Sequence, residues 1–499
     1  MDAGEVLKIL DIQYISAERS SDDVKKEVRK ELAEAAKDPS VRIKRDAFLL
    51  SASKQLKEVF GDALQNMDDL FKNERDGIGL EHGNVAIATD IQLDEKNIAD
   101  TYRTEVKDTR CQYTLPLDHN GLGYNNLINM YMLIKLNEQK PSNGRSILCI
   151  EEPEAHLHPA MQYKLFKYLR DRNFEERQKQ QIIVSTHSSN ISAVAGLENM
   201  FMMAYCRDES VRDCRQQSLK ELFAENSSDN KVQAKKHLSK FLDVTRSDML
   251  FADKIILVEG IAERLLLPKF MEKCGCPYEN EHVSIVEIGG KHFEHFIELF
   301  CGNAVEKKVL CITDRDFEWG VTKDSSADNP SFCTKSEYDA YDGDEHITKL
   351  KGRFLSGAHP MPNLKVQTQL VGGRTFEDEL FITNLTNETV ASNLFNRVIP
   401  DQLKMFFSEH KFNAYKWVKY MGSIDGRVLK SVQKYINAFS GVVTQDCENE
   451  EFYAQLMFAE IYLHYASSKK GELALGLLVD GPSDLEVPKY IKEGLKWLK

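Results

Sequence analysis

Two stretches of this 499-residue chain end apolar, strand-length runs in carboxylates. KIILVEGIAERLLLP, residues 254–268, reads as a buried strand that ends in Glu259-Gly260 and turns into a helix. Glu263 follows four residues after Glu259, one helical turn, so the two carboxylates can face one point. KKVLCITDRDFE, residues 307–318, is a second buried strand running into Asp314-Arg315-Asp316. Positions i and i+2 of an extended segment share a face, so both aspartates are expected at the sheet edge that carries Glu259, provided the strands are neighbours. Three or four hard oxygen ligands converging there suit Mg²⁺ or Mn²⁺, not zinc. One or two such ions activate water and stabilise charge on a phosphodiester oxygen during in-line displacement. An isolated D-x-D is ordinarily a solvated loop. The strand-Glu-Gly 55 residues upstream argues against that reading here.

A second acidic group lies earlier. SILCIEEPEAHLHP, residues 146–159, puts Glu151 and Glu152 at the carboxyl end of a buried strand, the end at which parallel α/β sheets bind ligands. One such acid can hold Mg²⁺ and its neighbour can activate water against a γ-phosphate. QQIIVSTHSS, residues 180–189, sets His187 just past a neighbouring strand, and GLGYNNLINMY, residues 121–131, is a turn with Gly121 and Gly123 opening a helix whose N–H groups can face an anion. Each signal is weak singly. Their order and spacing are specific.

The elements that must position these residues follow from periodicity. Residues 6–17 contain one strand, residues 20–75 a helical hairpin of coiled-coil texture, and residues 85–114 short strands. The strand–helix–strand rhythm of 146–185 predicts a parallel, covered sheet. Residues 208–250 read as a polar helical connector, and the texture resets at Asp253 into a second α/β unit. Residues 318–360 are polar and turn-rich, and 377–499 mostly helical. The expected domains are 1–245, 246–380 and 381–499, the last completing the second.

Composition excludes some classes. Apolar residues at 42% argue against disorder, and the longest apolar runs fall far short of the roughly 20 residues of a membrane span. The acidic start, Met1–Asp11, has no signal-peptide pattern. Ten scattered cysteines complete no zinc site and are expected to be free thiols in a reducing cytoplasm. A net charge of −13 opposes general polyanion coating but leaves room for a local basic groove on DNA.

The earlier group resembles the ABC-type ATPases of the SMC, RecF and OLD class. The resemblance implies a degenerate signature helix at Gly121–Asn126, a Walker B strand with Glu151 and Glu152, a D-loop at Glu154–Pro159 and a switch histidine at His187. The later group resembles the TOPRIM domain of topoisomerases, primases and OLD-type nucleases, with Val286–Lys291 as its second strand and turn. An ATPase head followed directly by TOPRIM resembles the OLD (overcoming lysogenisation defect) nucleases, a group that includes the nuclease subunit of the Gabija phage-defence system. The resemblance covers about residues 110–380. It implies further metal acids in Thr375–Leu380, with Glu377 and Glu379 as candidates, and a lysine at Lys470 that neutralises the transition state.

The expected fold class is therefore α/β: a partial ABC-type head with a helical hairpin insertion, then a Rossmann-like TOPRIM domain with a helical C-terminal region. The implied activity is a Mg²⁺- or Mn²⁺-dependent DNA endonuclease or nickase, cytoplasmic, acting as a homodimer or larger assembly, in phage defence. A regulatory subunit with a silent site is the alternative. A topoisomerase or primase lacks support, because neither a tyrosine-bearing DNA gate nor a zinc module is evident. One departure stands out. The motif G-x-x-x-x-G-K-[ST] is absent from the 499 residues, and Gly289-Gly290-Lys291 lacks its upstream Gly and its Ser/Thr. In this class the P-loop lies near the start of the head, so the chain is expected to begin after it. That leaves a fragmentary frame, a chain completed by another that supplies the P-loop, or a head without ATP; ATP binding stays open. A helicase-like partner is a further implication of the resemblance.

Overall fold

In the computed structural model, the described residues are 10–15, 39–72, 85–91, 102–109, 113–116, most of 121–131, 145–175, 180–205, 214–224, 228–301, 307–319, 332–357, 360–443 and 449–499. The chain divides into two compact units, Met1–Gly196 and Leu197–Lys499.

The first unit runs β1 (Leu10–Ile15), α1 (Pro39–Val59), α2 (Gly61–Lys72), β2 (Val85–Ile91), β3 (Tyr102–Asp108), β4 (Tyr113–Pro116), β5 (Arg145–Glu151), α3 (Pro159–Glu175) and β6 (Gln180–Ser185). Strands β1, β5 and β6 form a parallel sheet in that order, and β2, β3 and β4 an antiparallel one. The expected strand–helix–strand unit is β5–α3–β6. Its core gathers Leu148 and Ile150 of β5 with Leu165 and Leu169 of α3 and with Leu127, Ile128 and Tyr131. The hairpin expected over 20–75 is described from Pro39 onward as α1 and α2, and its earlier part lies outside the described residues. Thr89 on β2 ties the sheet to α2, its hydroxyl donating to Asp68 at 2.6 Å.

The second unit holds β7 (Phe201–Tyr205), β8 (Cys214–Ser218), α4 (Asp229–Phe241), β9 (Lys254–Val258), α5 (Ile261–Lys273), β10 (Val283–Glu287), α6 (Phe293–Ile297), β11 (Lys308–Ile312), α7 (Glu345–Phe354), β12 (Leu364–Gln367), α8 (Phe376–Asn384), α9 (Glu450–Ala466), α10 (Lys470–Asp480) and α11 (Lys489–Leu498) among its elements. Its main sheet is fully parallel, ordered β10-β9-β11-β12. Both faces are covered, and the side chains alternate between them. Ile256, Val258, Leu310 and Ile312 enter one core with α5, α8, α9 and α11, whereas Ile255, Leu257, Val309 and Cys311 enter the other with α4 and α6. A sheet buried on two sides needs continuous apolar strands, which is why KIILV and KVLCI are legible in the sequence.

Two readings differ from the structure. Residues 208–250 are not a purely helical connector. Cys214–Ser218 pairs antiparallel with Phe201–Tyr205, and Leu219, Ala234 and Leu238 are buried in the second unit's core. The hairpin has one solvated face: Met202 is buried, while Phe201 and Met203 are exposed. Residues 318–360 contain a true helix, α7, capped by Asp344 and burying Ile347, Leu350 and Phe354. Its charged exterior hid that stripe.

Candidate metal centre

Strands β9 and β11 are neighbours in register, with Ile312 opposite Val258. Their carboxyl ends therefore lie side by side, and Glu259 and Asp314 meet there. The backbone N–H of Asp314 donates to Glu259 Oε1 at 2.9 Å, and the Thr313 hydroxyl donates to the same oxygen. Thr313 is held in turn by His346 Nε2 at 2.9 Å, and His346 Nδ1 pairs with Asp344. This chain of side chains fixes one face of Glu259. Gln369, fully buried, donates its amide N–H to Asp314 Oδ1 at 2.8 Å and so orients that carboxylate.

Glu263 is buried in the first turn of α5. α10 packs against α5, the Cβ direction of Gly471 ending 3.4 Å from Ile261. That contact delivers Lys470, whose Nζ lies 2.9 Å from Oε2 of the buried Glu377 on α8. Thr375 also donates to that oxygen at 2.9 Å. The second oxygen of Glu377 is buried with no partner.

These acids raise one another's proton affinity. Burial, then the charge of Glu377, pushes Glu263 up to about 8. Burial, followed by Glu263, Glu259 and Glu377, holds Asp314 well above the ordinary aspartate range. Glu259 is raised mainly by burial, against its hydrogen bonds from Thr313 and Asp314. Burial works against charge on Lys470, but Glu377, Asp314 and Glu263 overcome it and hold the lysine above its usual value. Glu259, Glu263, Asp314, Glu377 and Lys470 thus form one electrostatic group.

Two of the sequence candidates stand apart. Asp316 adopts a left-handed backbone, φ +54°, so the extended i, i+2 geometry does not hold, although its charge still acts on Glu259. Its carboxylate pairs with Lys291, which also reaches Asp344 at 2.6 Å. Glu379 is fully buried, but both its oxygens are engaged by a loop: Oε1 accepts from the N–H groups of Leu370 and Val371, each at 2.9 Å, and Oε2 from Gly372 and Gly373 at 3.2 and 2.6 Å. Asp344, His346 and Gln369 escaped the sequence reading, which gave Lys291 only as part of a strand and turn, because no local spacing links them to the strand ends.

The residues fit a divalent cation. The donors are all oxygen, Glu259 and Asp314 at the strand ends form one electrostatic group with Glu263 and Glu377 from two helices, and one oxygen of Glu377 lacks a partner. Among the described residues, however, no three of these carboxylates bring ligand atoms within 4.8 Å of one another.

In the first unit, the carboxyl ends of β5 and β6 bring Glu152 and His187 together at 3.6 Å. Glu151 lies in register with Ser185. Glu154 accepts from the Thr186 hydroxyl at 2.7 Å and from His187 N–H at 2.8 Å, closing the loop. A Cβ at Gly123 would sit 2.2 Å from the carbonyl oxygen of His156, so this glycine permits close packing of two segments. Gly121 has open space around it, and its carbonyl accepts the first turn of the helix from Asn125 at 3.1 Å.

Comparison with known proteins matches both units. Residues 6–192 match an AAA ATPase domain, and residues 250–316 match the TOPRIM domain of overcoming lysogenization defect-like proteins. Endonuclease GajA of Bacillus cereus (strain HuB5-5) is 22% identical over 415 residues, which cover 77% of this chain and 54% of that protein. OLD nuclease of Thermus scotoductus (strain ATCC 700910 / SA-01) is 27% identical over 205 residues, covering 41% of this chain and 37% of that one. The chain thus spans about half the length of the first relative and less of the second. Among solved structures, the C-terminal region of the Burkholderia pseudomallei OLD protein matches 50% of this chain and 97% of its own at 18% identity, with a TM-score of 0.28.

Proposed function

We propose that this chain, which joins an AAA ATPase domain to an OLD-like TOPRIM domain and is homologous to GajA and OLD nucleases, is a divalent-metal-dependent DNA endonuclease or nickase. The observation that carries the reading is the acid group in which the half-buried Glu259 joins the buried Glu263, Asp314 and Glu377, with an unpartnered oxygen on Glu377. Like charges buried together are costly without a cation. These four residues would hold Mg²⁺ or Mn²⁺. When bound, the metal supplies an activated water and charge neutralisation at the scissile phosphate.

The chain's own residues have separable tasks. Thr313, held by His346 and Asp344, orients Glu259. Gln369 orients Asp314. Lys470, paired with Glu377, brings a fixed positive charge to the acid group, where it can offset charge developing on phosphate oxygens. Asp316 and Lys291 form a flanking pair that positions the loop after β11. DNA is the proposed substrate, phage defence the proposed setting, and a second copy of the chain the proposed partner.

The test is supercoiled plasmid with Mg²⁺ or Mn²⁺. Nicked or linear product is expected from the native protein. None is expected from Asp314→Asn or Glu259→Gln, both of which are expected to keep the fold, as a circular dichroism melt checks. Cutting that persists under full chelation overturns the metal assignment. Metal binding without any cutting supports the other reading, a regulatory subunit that keeps the fold for assembly.

A further inference from the structure

A second set of ligating side chains lies outside the acid group, where α4 packs against α6. His237 projects from α4. His292 caps α6, Glu294 sits in its first turn and His295 follows. The three imidazole rings are mutually close: centroids are 4.6 Å apart for His237 and His295, 5.6 Å for His237 and His292, and 5.8 Å for His292 and His295. His292, Glu294 and His295 each offer a ligand atom within 4.8 Å of the other two, and among the described residues they are the one group of three to do so.

The hydrogen bonding is incomplete in a way that points to a ligand. Nδ1 of His237 and Nδ1 of His295 are both buried and have no partner. Such an atom loses its hydration with nothing in exchange, and two in one cluster require an explanation. Stacking of His237 on Phe241, with centroids 4.1 Å apart, accounts for its place in the core but satisfies no nitrogen.

We propose that His292, Glu294 and His295, whose ligand atoms already lie together, bind one transition-metal ion of the zinc class, with the adjacent His237 ring turning in to complete it, at a site separate from the acid group. Imidazole with carboxylate is the donor set that Zn²⁺, Co²⁺ and Ni²⁺ share and that Mg²⁺ disfavours. The spacing suits a tetrahedral ion. A Zn–N bond of about 2.1 Å plus a ring radius of roughly 1.1 Å sets each centroid about 3.2 Å from the metal, and hence centroids about 5.2 Å apart. The three measured separations bracket that value. An ion held here clamps α4 to α6. It also fixes the backbone beside Lys291, whose amine pairs with Asp316 and Asp344.

The experiment uses the full chain, stripped of metal and then kept in excess Mg²⁺ to occupy the acid group, titrated with Co²⁺. One equivalent is expected to bind with the intense visible bands of tetrahedral, nitrogen-ligated cobalt, and Zn²⁺ is expected to bleach them. His292→Gln with His295→Gln is expected to weaken binding by at least about tenfold and remove the bands. Since His292 is exposed, the single variant His292→Gln provides a folded control with an intermediate effect. Asp314→Asn is expected to leave the bands intact while abolishing plasmid cutting, so the two sites fail independently. Absence of the bands in the folded native protein, their survival in the double variant, or their loss in Asp314→Asn overturns the proposal.

Discussion

Glu377 and Glu379 lie two positions apart in one helical turn, and different chemistry holds them. Glu377 keeps one buried oxygen without a partner and lends the other to Lys470. Glu379 gives both oxygens to four loop N–H groups. Glu377→Gln is therefore expected to fold normally and lose metal-dependent cutting. Glu379→Gln places an amide against N–H donors and is expected to destabilise by about 3 kcal/mol, since hydrogen bonds to a charged group contribute roughly 1.5–3 each. Urea unfolding of both variants checks the contrast, and equal stabilities would refute it. Glu263 supplies a pH test. Its pKa rises from 4.5 to about 8 on folding, so the metal-free folded state binds more protons than the unfolded chain within that window. Stability from this group is fully present below about pH 4.5 and is lost as pH rises to about 8. Thermal melts without metal should fall from pH 5 to pH 8, less so in Glu263→Gln, and added Mg²⁺ should oppose the fall. At this scale the sequence revealed Glu259, Glu263 and Asp314, because each sits at a fixed offset from a buried strand or helix. It could not reveal that Asp316 turns to Lys291, because a left-handed φ leaves no mark in a D-R-D triplet.

Strands β9 and β11 were legible because burial on both faces demands unbroken apolar runs, and α5 because it follows a strand-ending Glu-Gly. Helix α7 was not, since it shows solvent a charged face and buries only a few residues, nor was the β7–β8 hairpin, whose exposed Phe201 and Met203 flank the buried Met202 and break the polar–apolar alternation. The delivery of α8 and α10 to the site follows from no local spacing: only the family resemblance pointed to Glu377 and Lys470, which meet as an ion pair far apart in the chain. One close approach among elements can be tested directly. The loop after β12 passes so near α8 that a Cβ on Gly373 would lie 2.4 Å from Glu379 Cβ and 2.7 Å from its Cα. Neither neighbour is a flexible side-chain tip. Gly373→Ala is expected to cost about 1–3 kcal/mol, as overpacking does, and to weaken Mg²⁺ binding by displacing the turn that leads into Glu377. Calorimetric titration with a parallel melt decides it: unchanged binding and stability would mean that the loop yields freely.

At the scale of the molecule, two features lead to predictions. Along α1 and just beyond it, Ile43, Phe48, Leu50, Val59 and Phe60 are exposed, more apolar surface than one short hairpin ordinarily leaves in water. We expect the chain to self-associate through this surface, so that Phe48→Glu with Leu50→Glu lowers the mass found by light scattering to that of one chain. A native protein already of monomer mass would refute this.

The second prediction concerns where the chain can be divided. Texture in the sequence resets at Asp253, which suggested a boundary at 245, whereas the compact units part between Gly196 and Leu197. The intervening segment contributes Leu197, Met202, Leu219, Leu222, Phe223 and Leu238 to the core that covers Ile255, Leu257 and Val309 on one face of the main sheet. At roughly 1.5–3 kcal/mol for each large side chain, removing these six would forfeit about 10 kcal/mol or more, comparable to the whole stability of a domain. It would also bare the strands that carry Glu259 and Asp314. Every member of the acid group, and Lys470, lies within Leu197–Lys499. A protein of residues 197–499 is therefore expected to be folded, to melt in a cooperative transition and to keep Mg²⁺-dependent cutting of plasmid, whereas residues 246–499 should be insoluble or unfolded. Circular dichroism melts and the cutting assay on the two truncated proteins distinguish the boundaries. A stable, active protein beginning at 246 would show that the segment packs on a core able to close without it.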